Sequence, residues 1–177
     1  MRTALLSLGI FTDADLEWML ATGRREDIPA HTILVQEGTP IAAVYIVIDG
    51  TFAVSVAGKG VGRLLSGEVV GEVSFVDSRP PSATVQAEEN ARVLAIPRPL
   101  LTRKLAQDIA FAARFYRAMA VFLADRLRHT TSRLGYGQDA PRNEDPADED
   151  DLDPAALTHV SLASAQFDRL LQRLRGV

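Results

Sequence analysis

Within residues 71–87, reading GEVSFVDSRPPSATVQA, Gly71 is followed at once by a carboxylate, Glu72, and further on by the small-residue run Ser82-Ala83-Thr84. A glycine lets a ligand approach the backbone, and a carboxylate can accept from a sugar hydroxyl. Consecutive backbone N–H groups with two hydroxyls form a donor set for phosphate oxygens. A charge-assisted bond between a ribose hydroxyl and Glu72 would contribute roughly 1.5–3 kcal/mol. The same residues also have a plain structural reading, in which Glu72 caps a local turn and Ser82 and Thr84 face solvent on a strand. Residue types alone leave both readings open.

Other chemistries find less support. The histidines His31, His129 and His159 are spread over the chain, and none is paired with an acid at metal-ligand spacing. Cysteine is absent, which removes disulfides, thiolate zinc sites and cysteine nucleophiles together. No serine lies in a Gly-x-Ser-x-Gly elbow. The run Gly58-Lys59-Gly60-Val61-Gly62 lacks the Gly-Lys-Ser/Thr ending of a phosphate loop and reads as a hairpin turn. No catalytic residue, no metal site and no enzymatic activity are expected.

The elements that must position the 71–87 stretch can be read in order. Thr12 and Asp15 have capping-box spacing, and Leu16, Met19 and Leu20 share one face of a helix over about Asp13 to Thr22, stopped by Gly23. From Ile28 onward come short β-rich runs at Thr32 to Val35, Val44 to Ile48, Phe52 to Val56 and Gly62 to Leu65. Asp49-Gly50 carries the strongest hairpin signal and is expected to be a tight turn. Two more strands, Ser82 to Ala87 and Ala91 to Pro97, complete the sheet. Leu100 to Leu134 contains no Gly or Pro and reads as a long helix with one break near Asp108. Phe115, Met119, Phe122, Arg126 and Thr130 recur on it at helical spacing, with Leu127 alongside. This apolar seam is long enough to pair two copies of the chain, or to be covered by the chain's own last helix.

The chain has 177 residues, 47% of them hydrophobic, and a net charge of −4, the profile of one globular domain with an appendage. The charge is uneven, because 139–153 holds eight acidic residues against the single Arg142. Such a segment is repelled by a phosphate backbone, so nucleic-acid binding is not expected. No run reaches the roughly 18 apolar residues of a membrane span, and the short apolar stretch Ala4 to Phe11 lacks a cleavage site, so a cytoplasmic protein without membrane contact is expected. The division is 1–135 as one folded unit, 136–154 as an acidic linker and 155–177 as an amphipathic C-terminal helix. In that last helix Leu157, Val160, Leu162, Phe167, Leu170, Leu171 and Leu174 fall largely on one side.

The runs IPAHTILVQEG (28–38), YIVIDG (45–50), LSGEVVGE (65–72) and PSATVQA (81–87) resemble the cyclic nucleotide-binding domain, the sensor module of catabolite-activator-like regulators, kinase regulatory subunits and gated channels. The resemblance covers roughly Leu8 to Leu134. It implies a mainly β fold, a β jelly roll with flanking helices, a long C-terminal αC helix and here an extra C-terminal helix. It further implies a phosphate-binding cassette made by Gly71, Glu72, Val73, Ser74, Ser82, Ala83 and Thr84, with Glu72 holding the ribose of cyclic AMP or cyclic GMP. Thr130 and Thr131 stand where αC supplies a base contact. Two positions depart from the pattern. Pro81 stands where the family's phosphate-pairing arginine is expected, leaving Arg79 as the nearby cation, and His31 replaces an early-turn glycine. Losing a buried arginine-to-phosphate contact weakens binding by about ten- to a hundred-fold, so weak or absent cyclic-nucleotide binding, or binding of another small anion, is expected. The family's DNA-binding module has no counterpart in the acidic linker and single helix. The implied role is therefore a regulatory domain that forms a homodimer through αC and contacts a protein partner through its C-terminal helix.

Overall fold

The computed structural model describes residues 10–136; the acidic linker beyond Tyr136 and the expected helix at 155–177 lie outside the described residues. Helix α1, Asp13–Thr22, precedes strands β1 (Arg24–Ile28), β2 (Ile33–Val35), β3 (Ala43–Asp49), β4 (Phe52–Val56), β5 (Lys59–Leu64) and β6 (Val69–Val70). Helix α2 (Glu72–Asp77), strands β7 (Thr84–Ala87) and β8 (Ala91–Pro97), and helices α3 (Arg98–Gln107) and α4 (Ile109–Tyr136) follow. The strands form two antiparallel four-stranded sheets, ordered β1-β8-β3-β6 and β2-β7-β4-β5. This is the expected jelly roll, and the break in the long helix falls at Asp108, as expected. Asp108 stops α3 and starts α4, its carboxylate taking the Phe111 N–H at 2.8 Å and the Lys104 ammonium at 2.8 Å.

The first sheet is covered on both faces, which explains why β3 and β8 read as almost continuous apolar runs. Val44, Ile46, Ile48, Leu94 and Ile96 point to the helices and pack with Phe11, Leu16, Met19, Phe111, Phe115 and Phe122. Val47 and Val93, on the opposite face, meet Val35, Phe52, Leu64 and Val85 between the sheets. Phe115, Met119 and Phe122 are therefore buried in the chain's own core, and of the seam expected to pair two copies Leu127 and Thr130 remain exposed. A homodimer through α4 would have to use another face of this helix.

Asp49-Gly50 is not a hairpin turn. β3 pairs with β8 and β6, whereas β4 pairs with β5 and β7, so the dipeptide carries the chain from one sheet to the other. Glycine is required here for two reasons: its φ is +86°, and a Cβ would sit 2.6 Å from the Ala91 Cβ. The hairpin joins β4 to β5 through Ala57-Gly58, both at positive φ; of the run 58–62 expected to be a hairpin turn, only Gly58 lies in the turn, and Lys59 to Gly62 belong to β5. His31 also adopts a positive φ, 66°, in keeping with the turn in which glycine is usual.

Helix α1 is fastened to α4 through Asp15. The Thr12 and Asp15 capping box is present, and the same carboxylate accepts a two-pronged contact from Arg114, Nε at 2.6 Å and Nη2 at 2.9 Å. Burial by itself would raise the Asp15 carboxyl, but the Arg114 guanidinium and the Thr12 N–H and hydroxyl outweigh it and hold the carboxyl below its usual range. A carboxylate with a lowered folded-state pKa stabilises above its unfolded pKa, and that contribution is lost as the pH falls through the folded value. Asp15→Ala is expected to cost about 3 kcal/mol at pH 7 in urea unfolding, and the gap from the wild type is expected to narrow below about pH 4. A gap that stays constant down to pH 3 would show that the carboxylate contributes packing alone.

Candidate functional site

Residues 71–84 cross from β6 of the first sheet to β7 of the second. Gly71 opens α2 at φ +86°, a backbone conformation that residues other than glycine rarely adopt, and an added Cβ would push aside Ile41 Cδ1. That turn drives Glu72 inward. Its side chain is 2% exposed, although it carries a carboxylate. Burial pushes the Glu72 carboxyl above the usual range. The Arg126 guanidinium and the N–H groups of Glu72 and Val73 pull it back down, while Glu68 adds to the rise.

The partner of Glu72 comes from α4. Arg126 Nη1 lies 2.5 Å from Glu72 Oε1, and its Nη2 donates to the Val69 carbonyl at 3.2 Å. The guanidinium also stacks over the Phe122 ring, 4.5 Å from the ring centroid. Arg126 continues the buried face of Phe115, Met119 and Phe122. A cation one turn beyond a buried aromatic on that face was the signal that its head group points into the domain; the family pattern gave this residue no role.

The remaining residues separate into tethered and exposed groups. Ser74, 3% exposed, donates to the Arg79 carbonyl at 2.5 Å. It also receives Arg98 at its Oγ and its carbonyl, at 3.2 and 2.9 Å, and Arg98 lies over the Phe75 ring. Ser74 thus ties α2 to the start of α3. Val73 is 41% exposed. The Arg79 backbone is fixed by Ser74 and by the Asp77 carboxylate, while the residue itself lies at the surface. Pro81 is buried and its carbonyl takes the Gly38 N–H at 2.8 Å. Ser82 is exposed and Ala83 half-buried. The Thr84 hydroxyl oxygen accepts from the Glu37 N–H at 3.1 Å and from Gln36 Nε2 at 3.2 Å, which ties β7 to the turn after β2. Thr130 and Thr131 are exposed, and each hydroxyl donates to the carbonyl four residues back on α4.

What the structure brings together is therefore the Glu72 carboxylate and an α4 arginine, with residues 81–84 held against the Gln36 to Gly38 turn. Two surface cavities, of about 300 and 470 Å³, are lined by other residues, among them Asp27, Asp49 and Arg92 in one and Phe75, Arg98 and Tyr116 in the other. Among the described residues no cluster of three or more His, Cys, Asp or Glu could hold a metal ion, and no helix is long and apolar enough to cross a membrane.

Known proteins are similar to this chain over part of its length. A model described as the cyclic nucleotide-binding domain matches residues 25–108. An uncharacterized NTE family protein of Mycobacterium tuberculosis is 31% identical over 136 residues, which is 75% of this chain and 23% of that protein. The chain thus spans about a quarter of the length of this curated relative. A cyclic nucleotide-binding domain from Methylobacillus flagellatus superposes with a TM-score of 0.64 at 21% identity, covering 70% of this chain and 72% of that one. PKAR CBD2 with Sp-2Cl-cAMPS bound superposes at 0.57 with 18% identity, covering 76% and 86%. The two antiparallel sheets with flanking helices and the long α4 have the fold of these structures, and residues 25–108 match the cyclic nucleotide-binding domain family.

Proposed function

We propose that this domain is a ligand-responsive regulatory module in which α4 is held closed on the cassette by Arg126, and that it binds a cyclic nucleotide weakly or another small anion. The observation that carries this reading is the Glu72 to Arg126 pair: the carboxylate suited to a ribose hydroxyl is buried and already engaged from α4. A ribose that takes this carboxylate must compete with Arg126. Ligand binding and displacement of α4 are then one event, and the output is a change in protein contacts rather than catalysis. Weak affinity follows from the cost of displacing Arg126, added to the proline that stands in the arginine's place before Ser82.

A second reading is a domain that has kept the fold and lost the ligand. It is favoured by buried Pro81, whose carbonyl is engaged by Gly38, and by the surface position of Arg79. Titration calorimetry with cyclic AMP and cyclic GMP separates the two. Arg126→Gln is expected to bind one of them about tenfold more tightly than the wild type, since one ionic hydrogen bond no longer has to be displaced. Glu72→Ala is expected to abolish binding. No heat from the wild type or from Arg126→Gln at millimolar nucleotide would establish the second reading.

The ion pair also predicts a pH signature that does not depend on any ligand. Removing Arg126 leaves a buried carboxylate without its cation, and the Glu72 pKa rises further. An acid whose pKa is higher in the folded state costs stability as the pH rises above its unfolded value. Arg126→Met is expected to lose about 2–3 kcal/mol at pH 7.5, toward the low side for a buried pair because the guanidinium is a third exposed. The loss should shrink at pH 5, because protonation of Glu72 becomes easier as the pH falls. Equal losses at both pH values in denaturant unfolding would show that Arg126 acts through its stacking on Phe122.

A further inference from the structure

The outer face of α4 carries a pattern separate from its buried face. Ala113, Tyr116, Ala120, Leu123, Leu127 and Thr130 are spaced alternately three and four residues apart, the 3.5-residue repeat of a helix that pairs with another helix. Tyr116 is 51% exposed and Leu127 67% exposed; Ala120 and Thr130 are exposed and Leu123 is half-buried. The described residues leave this stripe largely open, although Tyr116 packs edge-on to Phe115 and Leu123 is half-buried. The C-terminal segment of the same chain has the matching repeat at Val160, Ser164, Phe167, Leu171 and Leu174. Tyr116 to Thr130 and Val160 to Leu174 span equal numbers of residues, about 21 Å of helix each at 1.5 Å per residue.

We propose that residues 157–174 form a helix that docks antiparallel on the outer face of α4 in the same molecule. Direction and size both select this occupant. The segment 137–153 is long enough for the chain to reverse along α4 at little cost in closure entropy. In the antiparallel register Ala120 faces Leu171 and Leu127 faces Ser164, so a large residue meets a small one at both levels; Leu123 meets Phe167, and Tyr116 meets Leu174. Interdigitation of large with small is what dense helix packing requires. A second copy in parallel would instead oppose each residue to itself, placing Ala113 on Ala113 and Ala120 on Ala120. The parallel register of the same segment sets Ala120 on Ser164 and leaves a gap at that level. The outward positions of the docked segment include Leu162, Arg169 and Arg173, so both basic side chains stay in water.

The absence of cysteine makes a clean test. The full chain carrying Ala120→Cys with Leu171→Cys, treated with a short bis-maleimide at low micromolar protein, is expected to give a single-chain adduct at the monomer mass plus one linker. It should form at least about ten times faster than in Ala120→Cys with Arg169→Cys, whose second thiol faces away, because docking raises the effective concentration only of the facing pair. Equal rates for the two pairs would overturn the proposal. So would linkage of two chains by Ala120→Cys alone, together with a dimer of the wild type in sedimentation, which would assign the stripe to a second copy.

Discussion

A carboxylate that is 2% exposed has to find a cation or give up its charge, and the structure around Glu72 follows from that requirement. Gly71 turns the chain so that Glu72 points inward, and the roll of sheets offers it no cation. The cation comes from Arg126, late in the longest helix. Because the pair joins the first residue of α2 to a residue well along α4, it fixes how α4 crosses the cassette. Val69, whose carbonyl receives the second guanidinium contact, adds β6 to the same junction.

Two other ties of the same kind set the helices around the first sheet. Arg114 of α4 grips Asp15 of α1, and Arg98 of α3 grips Ser74 of α2. Each is an arginine whose planar fork satisfies two acceptors at once, geometry that a lysine could not reproduce. Packing of Phe11, Phe111, Phe115 and Phe122 against β3 and β8 supplies the burial, but apolar contacts alone tolerate sliding. The polar ties select one arrangement, and the Asp15 and Glu72 ties do so at opposite ends of the buried part of α4.

The sequence made some of this legible for identifiable reasons. Nearly continuous apolar runs within Ala43–Asp49 and Ala91–Pro97 marked two strands, and Thr12 with Asp15 marked the start of α1 through its own chemistry. Strand β1 escaped notice because four of its five residues, Arg24, Arg25, Glu26 and Asp27, are charged and exposed; it is an edge strand held by pairing with β8. The two residues of β6 are too few for any period to show. Asp49-Gly50 misled because the positive φ that a hairpin needs is needed equally by a crossover between sheets, and only the choice of partner strand distinguishes them. The seam on α4 was correctly seen as apolar, but spacing does not say what covers a face, and the chain's own sheet and α1 cover this one.

The cassette follows the same division between fold and ligand. Glycine, carboxylate and Ser-Ala-Thr were visible as types, and Gly71 opens a helix that turns the Glu72 carboxylate inward. The use made of their polar atoms was not visible: the Thr84 oxygen serves the Gln36 to Glu37 turn, and the Pro81 carbonyl serves Gly38. Both contacts hold the loop against the turn after β2. In such a loop the preorganised element is the backbone, whereas the charge at Glu72 is balanced by a helix from elsewhere in the fold. A rigid helix transmits displacement at one face to the other, because packed interfaces shift between discrete arrangements rather than deforming continuously. Under the proposed function, a group that took Glu72 away from Arg126 would act on α4 as a whole, including the outer stripe from Ala113 to Thr130, and so would couple the chemistry of one buried carboxylate to the outer surface of the domain.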